Sequence, residues 1–386
     1  MSNLEHALRS VTDRVQAALS DGTALQIQGG GSKAFQGTSH GELLDTRPLS
    51  GVVSYEPTEL VVTVGTGTPL RELEALLAEK GQYLPFEPPH FAWSGATQAT
   101  VGGMVASGLS GPSRASAGCV RDYVLGLELI NGLGQHLTFG GQVMKNVAGY
   151  DVSRLMVGAR GTLGLMTQVS LKVLPFAPAE ATLHFVLDQA QALDHLNRWG
   201  AEPLPLNASC WVWDEADASQ PAQPRLFVRL RGAAAAVDAA CKRMLAEVPG
   251  QRMDNAQAAP DWELCRNQQL PFFTSAPQGC VLWRLSVPQT APVLTLPAQP
   301  LVEWHGGLRW VWAPLEARPH LEAVAHAVGG SARVFMIPGQ ASGHAQASLI
   351  PEDAALQTIS QRLKTSFDPK GIFNPGLTRH ANQSRA

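Results

Sequence analysis

The sequence predicts an α+β chain in two parts with a short returning tail, and three observations carry that prediction. Between Gln98 and Leu174, glycine turns alternate with β-branched apolar runs. After Pro175 and Pro178 the glycine turns thin out while Trp and Pro rise. Beyond that point strand-like and helical segments succeed one another in the order strand, helix, strand, strand, helix, which suggests an α+β cap with helices on one face of an antiparallel sheet. A chain of 386 residues is too long for one ordinary core, so two domains are the natural division. The expected parts are 1–178, 179–352, and a C-terminal helix and tail over 353–386.

The first residues, MSNLEHALRSVTDRVQAALSDG, place Leu4, Leu8, Val11, Val15 and Leu19 at helical spacing with mixed charge. They lack an apolar h-region and a small-residue cleavage site, so they read as a surface helix and not a signal peptide. Ala24 to Gln28 reads as a strand leading into Gly29-Gly30-Gly31-Ser32-Lys33. Gly29-x-Gly31-x-x-Ala34 formally matches the dinucleotide fingerprint, but that fingerprint needs a helix to begin there. The next residues, FQGTSHG, have no apolar helical period, so the loop is read as a phosphate nest of backbone N–H groups. Strands are expected from Gly51 to Tyr55 and from Leu60 to Val64. Thr68 and Pro69 then open a helix to about Lys80, with Thr68 accepting from first-turn amides and Glu72 completing a capping box.

A proline-rich turn over 83–90 leads into Ala99-Thr100-Val101-Gly102-Gly103. A short helix from Met104 to Leu109, directly after the glycine pair, would aim its positive end at a cofactor; the alternative is a tight turn packed on a strand. Strands are expected from Val124 to Ile130, Gln135 to Phe139 and Leu165 to Val173, with a hairpin-like turn at Asn131-Gly132 and a helix from Tyr150 to Met156. Gly161-Thr162-Leu163-Gly164 forms a third glycine turn. In the second part, strands are expected at 182–187, 209–213, 226–230, 281–287, 308–312 and 333–337, and helices near 189–199, 233–247, 262–270 and 315–328. A last helix runs from Asp353 to Ser366.

Composition excludes several functions. With 29 basic and 32 acidic residues and no basic block, nucleic acid is not an expected partner. No run of eighteen apolar residues exists, so no membrane span is expected. The cysteines Cys119, Cys210, Cys241, Cys265 and Cys280 are scattered without CxxC pairs, which argues against a disulfide framework and against a zinc or iron–sulfur site, and fits a reducing cytoplasm.

The segments GGGSK, Tyr55-Glu56-Pro57, ATVGGMVASGLSGP, VLGLELINGLG, KNVAGYD, GTLGLMTQVSLKV and FDPKGIFNPG resemble, in order and wording, the FAD-binding domain of the vanillyl-alcohol oxidase and p-cresol methylhydroxylase flavoproteins. Within that superfamily they look most like the FAD-binding subunits of bacterial glycolate oxidases, relatives of the D-lactate and D-2-hydroxyglutarate dehydrogenases. The resemblance implies a p-cresol methylhydroxylase-type FAD-binding domain, a cap covering the flavin ring, and a tail that returns Asn374 to the flavin. It implies non-covalent FAD held by Gly29, Gly30, Gly31, Ser32, Lys33, Pro89, Thr100, Val101, Gly102, Gly103, Ser107, Gly108, Gly111, Arg114, Lys145, Gly161, Thr162, Gly164, Leu165 and Asn374, with Tyr150 also nearby. It further implies oxidation of a small 2-hydroxy acid, glycolate, in a complex with a catalytic flavoprotein subunit and an iron–sulfur subunit. The complex would be cytoplasmic or attached to the inner face of the cell membrane through partners.

The chemistry expected of the chain itself is incomplete. Oxidising a 2-hydroxy acid requires a base for the hydroxyl proton and a cation for the carboxylate. The related dehydrogenases carry a His-x-His-x-Gly-Asp-Gly-Asn stretch for metal and base, and this sequence lacks it. His320 and His326 read as polar surface residues of a helix. His305 reads either as a turn residue or as a wall of the flavin pocket. Arg284, in an apolar strand, must be paired or reach a polar cavity, so it either forms a structural ion pair or binds a carboxylate or a flavin oxygen. Cys119 reads as a small buried thiol rather than a flavin tether. Two further functions stay open: a self-sufficient FAD enzyme of another small hydroxy acid or alcohol, and a structural subunit that has lost its flavin. Intact glycine turns speak against the last, because glycine without a purpose costs stability.

Overall fold

The computed structural model describes residues 3–37, 39–91, 98–141, 150–214, 222–338 and 354–377. Helix α1 (Asn3–Asp21) buries Ala7, Val11, Val15 and Ala18, the face its apolar spacing predicts. It leads into strand β1 (Leu25–Gln28), which pairs in parallel with β2 (Glu42–Asp45). Strand β2 is not foreseen from sequence, since only Leu44 of its four residues is buried and two acids flank the apolar pair. Strands β3 (Val52–Glu56) and β4 (Val61–Gly65) precede α2 (Leu70–Glu79) and the two-residue β5 (Gln82–Tyr83). Then come α3 (Val101–Ser107), the single turns α4 (Arg114–Ala117) and α5 (Val120–Tyr123), β6 (Val124–Ile130), β7 (His136–Gly140), α6 (Val152–Met156), β8 (Leu165–Lys172) and β9 (Leu174–Pro175). An antiparallel sheet in the order β3-β4-β8-β6-β7 packs α2, α3 and α6 over a core that includes Val62, Leu73, Met104 and Val169.

Two local expectations fail in this part. Thr68 does not cap α2: its hydroxyl donates to the Gly65 carbonyl at 2.7 Å and accepts from the Gly51 amide at 3.0 Å, and Pro69 holds the cap position without a side-chain bond. A neighbouring strand end thus outcompetes the helix for the hydroxyl. Helix α3 begins before the glycine pair and contains it, with Thr100 as N-cap accepting from the Gly103 amide at 3.2 Å.

Strand β10 (Ala179–Val186) opens a second sheet. With α7 (Gln189–Gly200), β11 (Leu206–Asp214), β12 (Gln223–Gly232), α8 (Ala234–Glu247), β13 (Gly250–Arg252), α9 (Asn255–Arg266), α10 (Pro271–Thr274), β14 (Val281–Ser286), β15 (Leu301–Glu303), β16 (Leu308–Ala313), α11 (Arg318–Ala327) and β17 (Ser331–Met336), it builds eight antiparallel strands. Their order is β13-β10-β12-β11-β15-β16-β14-β17. The short β13 and β15 are too brief to show a period and escape sequence analysis. Helix α9 starts seven residues before the expected Trp262, capped by Asp254 on the Ala256 amide, and runs through Pro260.

The expectation of helices on one face of this sheet is also wrong. Alternate residues of β10 point to opposite faces: Leu183 and Phe185 pack with α7 and α8, whereas Thr182 accepts a 2.9 Å hydrogen bond from the Trp262 indole of α9. Both faces of β10 are therefore covered, and the α9 face carries Cys210, Trp310 and Trp312.

Helix α12 (Ala354–Phe367) brings the chain back to the first part. Its buried Lys364 ammonium donates to the carbonyls of Thr162 and Phe373 and to the Asp368 carboxylate, and Phe373 bridges Leu25 of β1. The two sheets meet at Glu87, whose carboxylate accepts from Arg229 at 2.6 Å and from Arg231 at 3.2 Å. Burial raises the Glu87 pKa, but the two guanidiniums outweigh it and hold the carboxyl below its ordinary range.

Candidate cofactor and active site

Three backbone segments and the returning tail enclose a cavity of about 160 Å³: the loop after β1, the first turn of α3, the turn before β8, and Asn374. Of the residues expected to hold a cofactor, Gly29, Gly30, Gly31, Ser32, Lys33, Thr100, Gly102, Gly103, Ser107, Gly161, Gly164, Leu165 and Asn374 line it. Most of the expected set thus converges from segments far apart in sequence.

The glycines are required for more than one reason. A Cβ on Gly30 would run into the Gln98 carbonyl oxygen, and one on Gly29 would collide with the Thr100 hydroxyl oxygen. Those two glycines allow the first loop to press against the stretch of chain before α3. A Cβ on Gly103 would meet only the Thr100 hydroxyl oxygen, at 3.3 Å.

Two cations edge the cavity. Lys33 donates to the Ser32 hydroxyl at 3.2 Å and lies 5.7 Å from the Phe91 ring centroid, and loss of water lowers its pKa to about 8. Arg160, in the left-handed region at φ 55°, reaches the Gln36 carbonyl, and burial lowers its pKa to about 10. Neither forms an ion pair with a carboxylate among the described residues. Desolvated cations without counter-ions, facing glycine backbone, fit the diphosphate of a dinucleotide. Sequence analysis misses Arg160, although its place directly before the Gly161 turn is a usable signal. Asn374, at φ 44°, accepts from the Ile27 amide and donates to the Arg160 carbonyl, both at 2.7 Å, so the tail fixes the arginine's backbone.

The other expected residues lie elsewhere. Val101 is fully buried in the core, the Thr162 hydroxyl is turned onto the Ala159 carbonyl, and Gly108 terminates α3 at φ 62°. Lys145 lies outside the described residues, and Tyr150 is 91% exposed and does not line the cavity. Pro89 and Gly111 line a second, small cavity where the first part meets the second sheet. Arg114 stacks on Trp304, a wall of that cavity, with its guanidinium carbon 4.4 Å from the ring centroid. Phe35, just past Lys33, contacts the rings of Phe91 and Phe335, which also line this junction cavity.

The junction cavity also contains Arg284 and Glu303. Arg284 lies 5.1 Å from the Trp304 centroid and 5.9 Å from that of Trp310; its Nε is buried with no hydrogen-bond partner. No carboxylate among the described residues lies within ion-pair distance of it, so a structural ion pair does not explain its burial. Burial, with Arg114 and Arg333 adding to it, lowers its pKa to about 10. Glu303 accepts from the Trp310 indole at 2.6 Å and from the Cys265 thiol at 3.4 Å, and burial lifts its pKa to about 7.

His305 belongs to a strained turn, at φ 54°, and its ring bonds Ser116 at 2.9 Å and Ser209 at 3.0 Å. Burial lowers its pKa to about 4, so it is a neutral turn residue tying the two parts together. Cys119 is half-buried, not fully buried, and lies outside both cavities. His320 and His326 are exposed, as expected. Among the described residues no group of three metal-ligating side chains occurs, and no helix is long and apolar enough to cross a membrane.

Residues 7–140 match the family model described as an FAD binding domain. Over 371 residues, 95% of this chain and 96% of the relative, the sequence is 43% identical to the glycolate oxidase subunit GlcE of Escherichia coli strain K12. It is 32% identical over 146 residues to the glycolate oxidase subunit GlcD of Bacillus subtilis strain 168, covering 38% of this chain and 30% of that protein. A D-lactate dehydrogenase of Archaeoglobus fulgidus is 34% identical over 39% of this chain and 33% of its own. Among solved structures, an alkyldihydroxyacetonephosphate synthase superposes with a TM-score of 0.64 at 16% identity, over 95% of this chain and 75% of that one, a likeness of fold.

Proposed function

Because the chain belongs to the family of the glycolate oxidase subunit GlcE and carries an FAD-binding domain, we propose that it is the FAD-carrying subunit of a complex that oxidises glycolate to glyoxylate. The observation that carries this reading furthest is the cavity between the glycine loops, with Lys33 and Arg160 at its edge, neither of them paired with a carboxylate among the described residues. Bound non-covalently, FAD supplies the two-electron acceptor. Backbone of residues 29–33, with Thr100, Gly103, Ser107 and Gly161, would hold its diphosphate, and Asn374 would keep Arg160 in place. The glycine loops and tail belong to one part, 1–178 with 353–386, and the second sheet, 179–352, would cap the flavin ring near Pro89, Gly111 and Arg114.

The expected partners are a catalytic flavoprotein subunit and an iron–sulfur subunit, and the expected compartment is the cytoplasm. A sequence without the relatives' histidine and acid motif, and without clustered cysteines, supports a division of labour in which electrons leave through other chains. Acid precipitation of the purified chain should release FAD into a yellow supernatant. Flavin left in the pellet refutes the non-covalent attachment, and a colourless native protein that takes up no added FAD refutes the flavoprotein reading. Glycolate-dependent dye reduction is expected with the partner chains present and absent without them; sustained turnover by the chain alone would favour the self-sufficient enzyme.

A further inference from the structure

A cavity of about 780 Å³ is lined by strands β10, β11, β12 and β16 and by helices α9 and α10. It shares no lining residue with the glycine-loop cavity of about 160 Å³. Spaces of roughly 300–1,000 Å³ are the size that encloses small-molecule ligands. The walls are rich in aromatic rings, among them Trp213, Phe227, Trp262 and Trp312. The Trp262 indole already donates to the Thr182 hydroxyl at 2.9 Å, and that of Trp312 to the Phe272 carbonyl at 2.7 Å. These two rings therefore offer a ligand carbon surface and no donor.

Two polar atoms of the lining residues are shut from water and make no hydrogen bond: His184 Nδ1 and Arg225 Nε. Asp214 lies 3.3 Å from that Nε, close enough for an ion pair but not aligned for a hydrogen bond. Burial and the Arg225 charge lower the His184 pKa, so its ring is neutral at pH 7; a hydrogen bond from the ring to Gln251 opposes that change. A neutral imidazole carries one proton, and Gln251 holds it on the nitrogen away from Nδ1. Nδ1 is then a lone pair in want of a donor. His184 is opposite Phe227 in the β10–β12 register, which puts Arg225 two residues along on the same face, its Nε a donor in want of an acceptor. Each such buried, unpaired group costs about 1–3 kcal/mol. Against the one guanidinium stand two lining carboxylates, Asp214 and Asp261, so an anionic ligand is disfavoured.

We propose that this cavity is a second ligand site, for a flat, uncharged heteroaromatic ring whose edge carries an N–H beside a C=O, a cyclic amide. The N–H donates to His184 Nδ1, the carbonyl accepts from Arg225 Nε, and the ring packs among Trp213, Phe227 and Trp312. A plain hydrocarbon ring would leave both polar atoms buried and unpaired, and a carboxylate would meet Asp214 and Asp261. The site is independent of the glycolate reading, and no redox step is assigned to it.

The test titrates 2-quinolinone, a two-ring cyclic amide, into the purified full-length chain by calorimetry, beside its N-methyl derivative, which lacks only the N–H. Saturable binding of 2-quinolinone is expected, with the methylated compound at least tenfold weaker. His184→Phe keeps a flat ring beside Phe227 and removes the acceptor. It should weaken 2-quinolinone at least tenfold and bring the two compounds within about twofold of each other, which separates the lost hydrogen bond from the bulk of the methyl group. Trp213→Ala, at the exposed rim, should weaken both compounds several-fold, and melting curves confirm that each variant is folded. Bound FAD should stay at the parent value throughout. No saturable binding by the folded parent, equal binding of the two compounds, or a tenfold gap that survives His184→Phe overturns the proposal. Release of FAD by 2-quinolinone would place the compound at the glycine loops and overturn it as well. Binding by a colourless protein through His184 would break the flavin reading and leave this site standing.

Discussion

At the scale of single residues, the glycines of the first cavity separate into those that serve the fold and one whose missing side chain would point into the cavity. Gly30→Ala should cost stability, on the order of 1–3 kcal/mol by overpacking, because its methyl would run into the Gln98 carbonyl. Gly103 is different: a side chain there meets only the Thr100 hydroxyl and then open cavity. Gly103→Val should therefore lower FAD affinity by more than tenfold while urea unfolding of the flavin-free protein shifts far less than in Gly30→Ala. Equilibrium dialysis and denaturation curves check both. Lys33 offers a pH signature. Its free-protein pKa of about 8 means that it is protonated below that value and that binding a diphosphate must carry the cost of charging it above. FAD affinity should fall as pH rises through that value, and Lys33→Met should flatten that slope.

At the scale of elements, the returning helix α12 matters through one buried ammonium. Lys364 joins the Thr162 carbonyl, the Phe373 carbonyl and Asp368, and so connects the third glycine turn to the tail that carries Asn374. Burial lowers the Lys364 pKa, and Asp368 opposes that change. Lys364→Met would leave the Asp368 carboxylate buried and unpaired, a loss of about 3–5 kcal/mol. The expected result is early proteolytic cleavage of the C-terminal segment and weakened FAD binding, read by timed digestion and dialysis. The helix itself is legible from apolar spacing. Its ammonium is not, since nothing in the local sequence separates a buried lysine from an exposed one.

At the scale of the molecule, the two sheets are joined by Glu87, from the proline-rich turn, and by Arg229 and Arg231 of β12. Glu87→Gln should destabilise the protein by about 3–5 kcal/mol, because two guanidiniums at the junction lose their shared carboxylate. Since the folded pKa of Glu87 lies below its ordinary 4.5, its contribution is present above that pH and is lost as pH falls through the folded value. Acid denaturation curves should show the parent losing stability over that range and Glu87→Gln losing less. The same junction sets Pro89, Gly111, Arg114 and Arg284 around one cavity, although they come from both parts of the chain.

Local and repeated features were legible along the chain alone. Period-3.6 and period-2 spacing located nearly every long helix and strand, and glycine turns in a family-like order marked segments that line the first cavity. Where competition between distant groups decides, local reading failed. The Thr68 hydroxyl went to a strand end and not to its own helix, and α9 and α10 filled the second face of a sheet whose residues alternate. Arg284 and Glu303, on different strands, were brought to one cavity by packing. Those outcomes depend on which desolvated groups find partners once the chain is packed, a property of the tertiary arrangement that spacing along the chain does not encode.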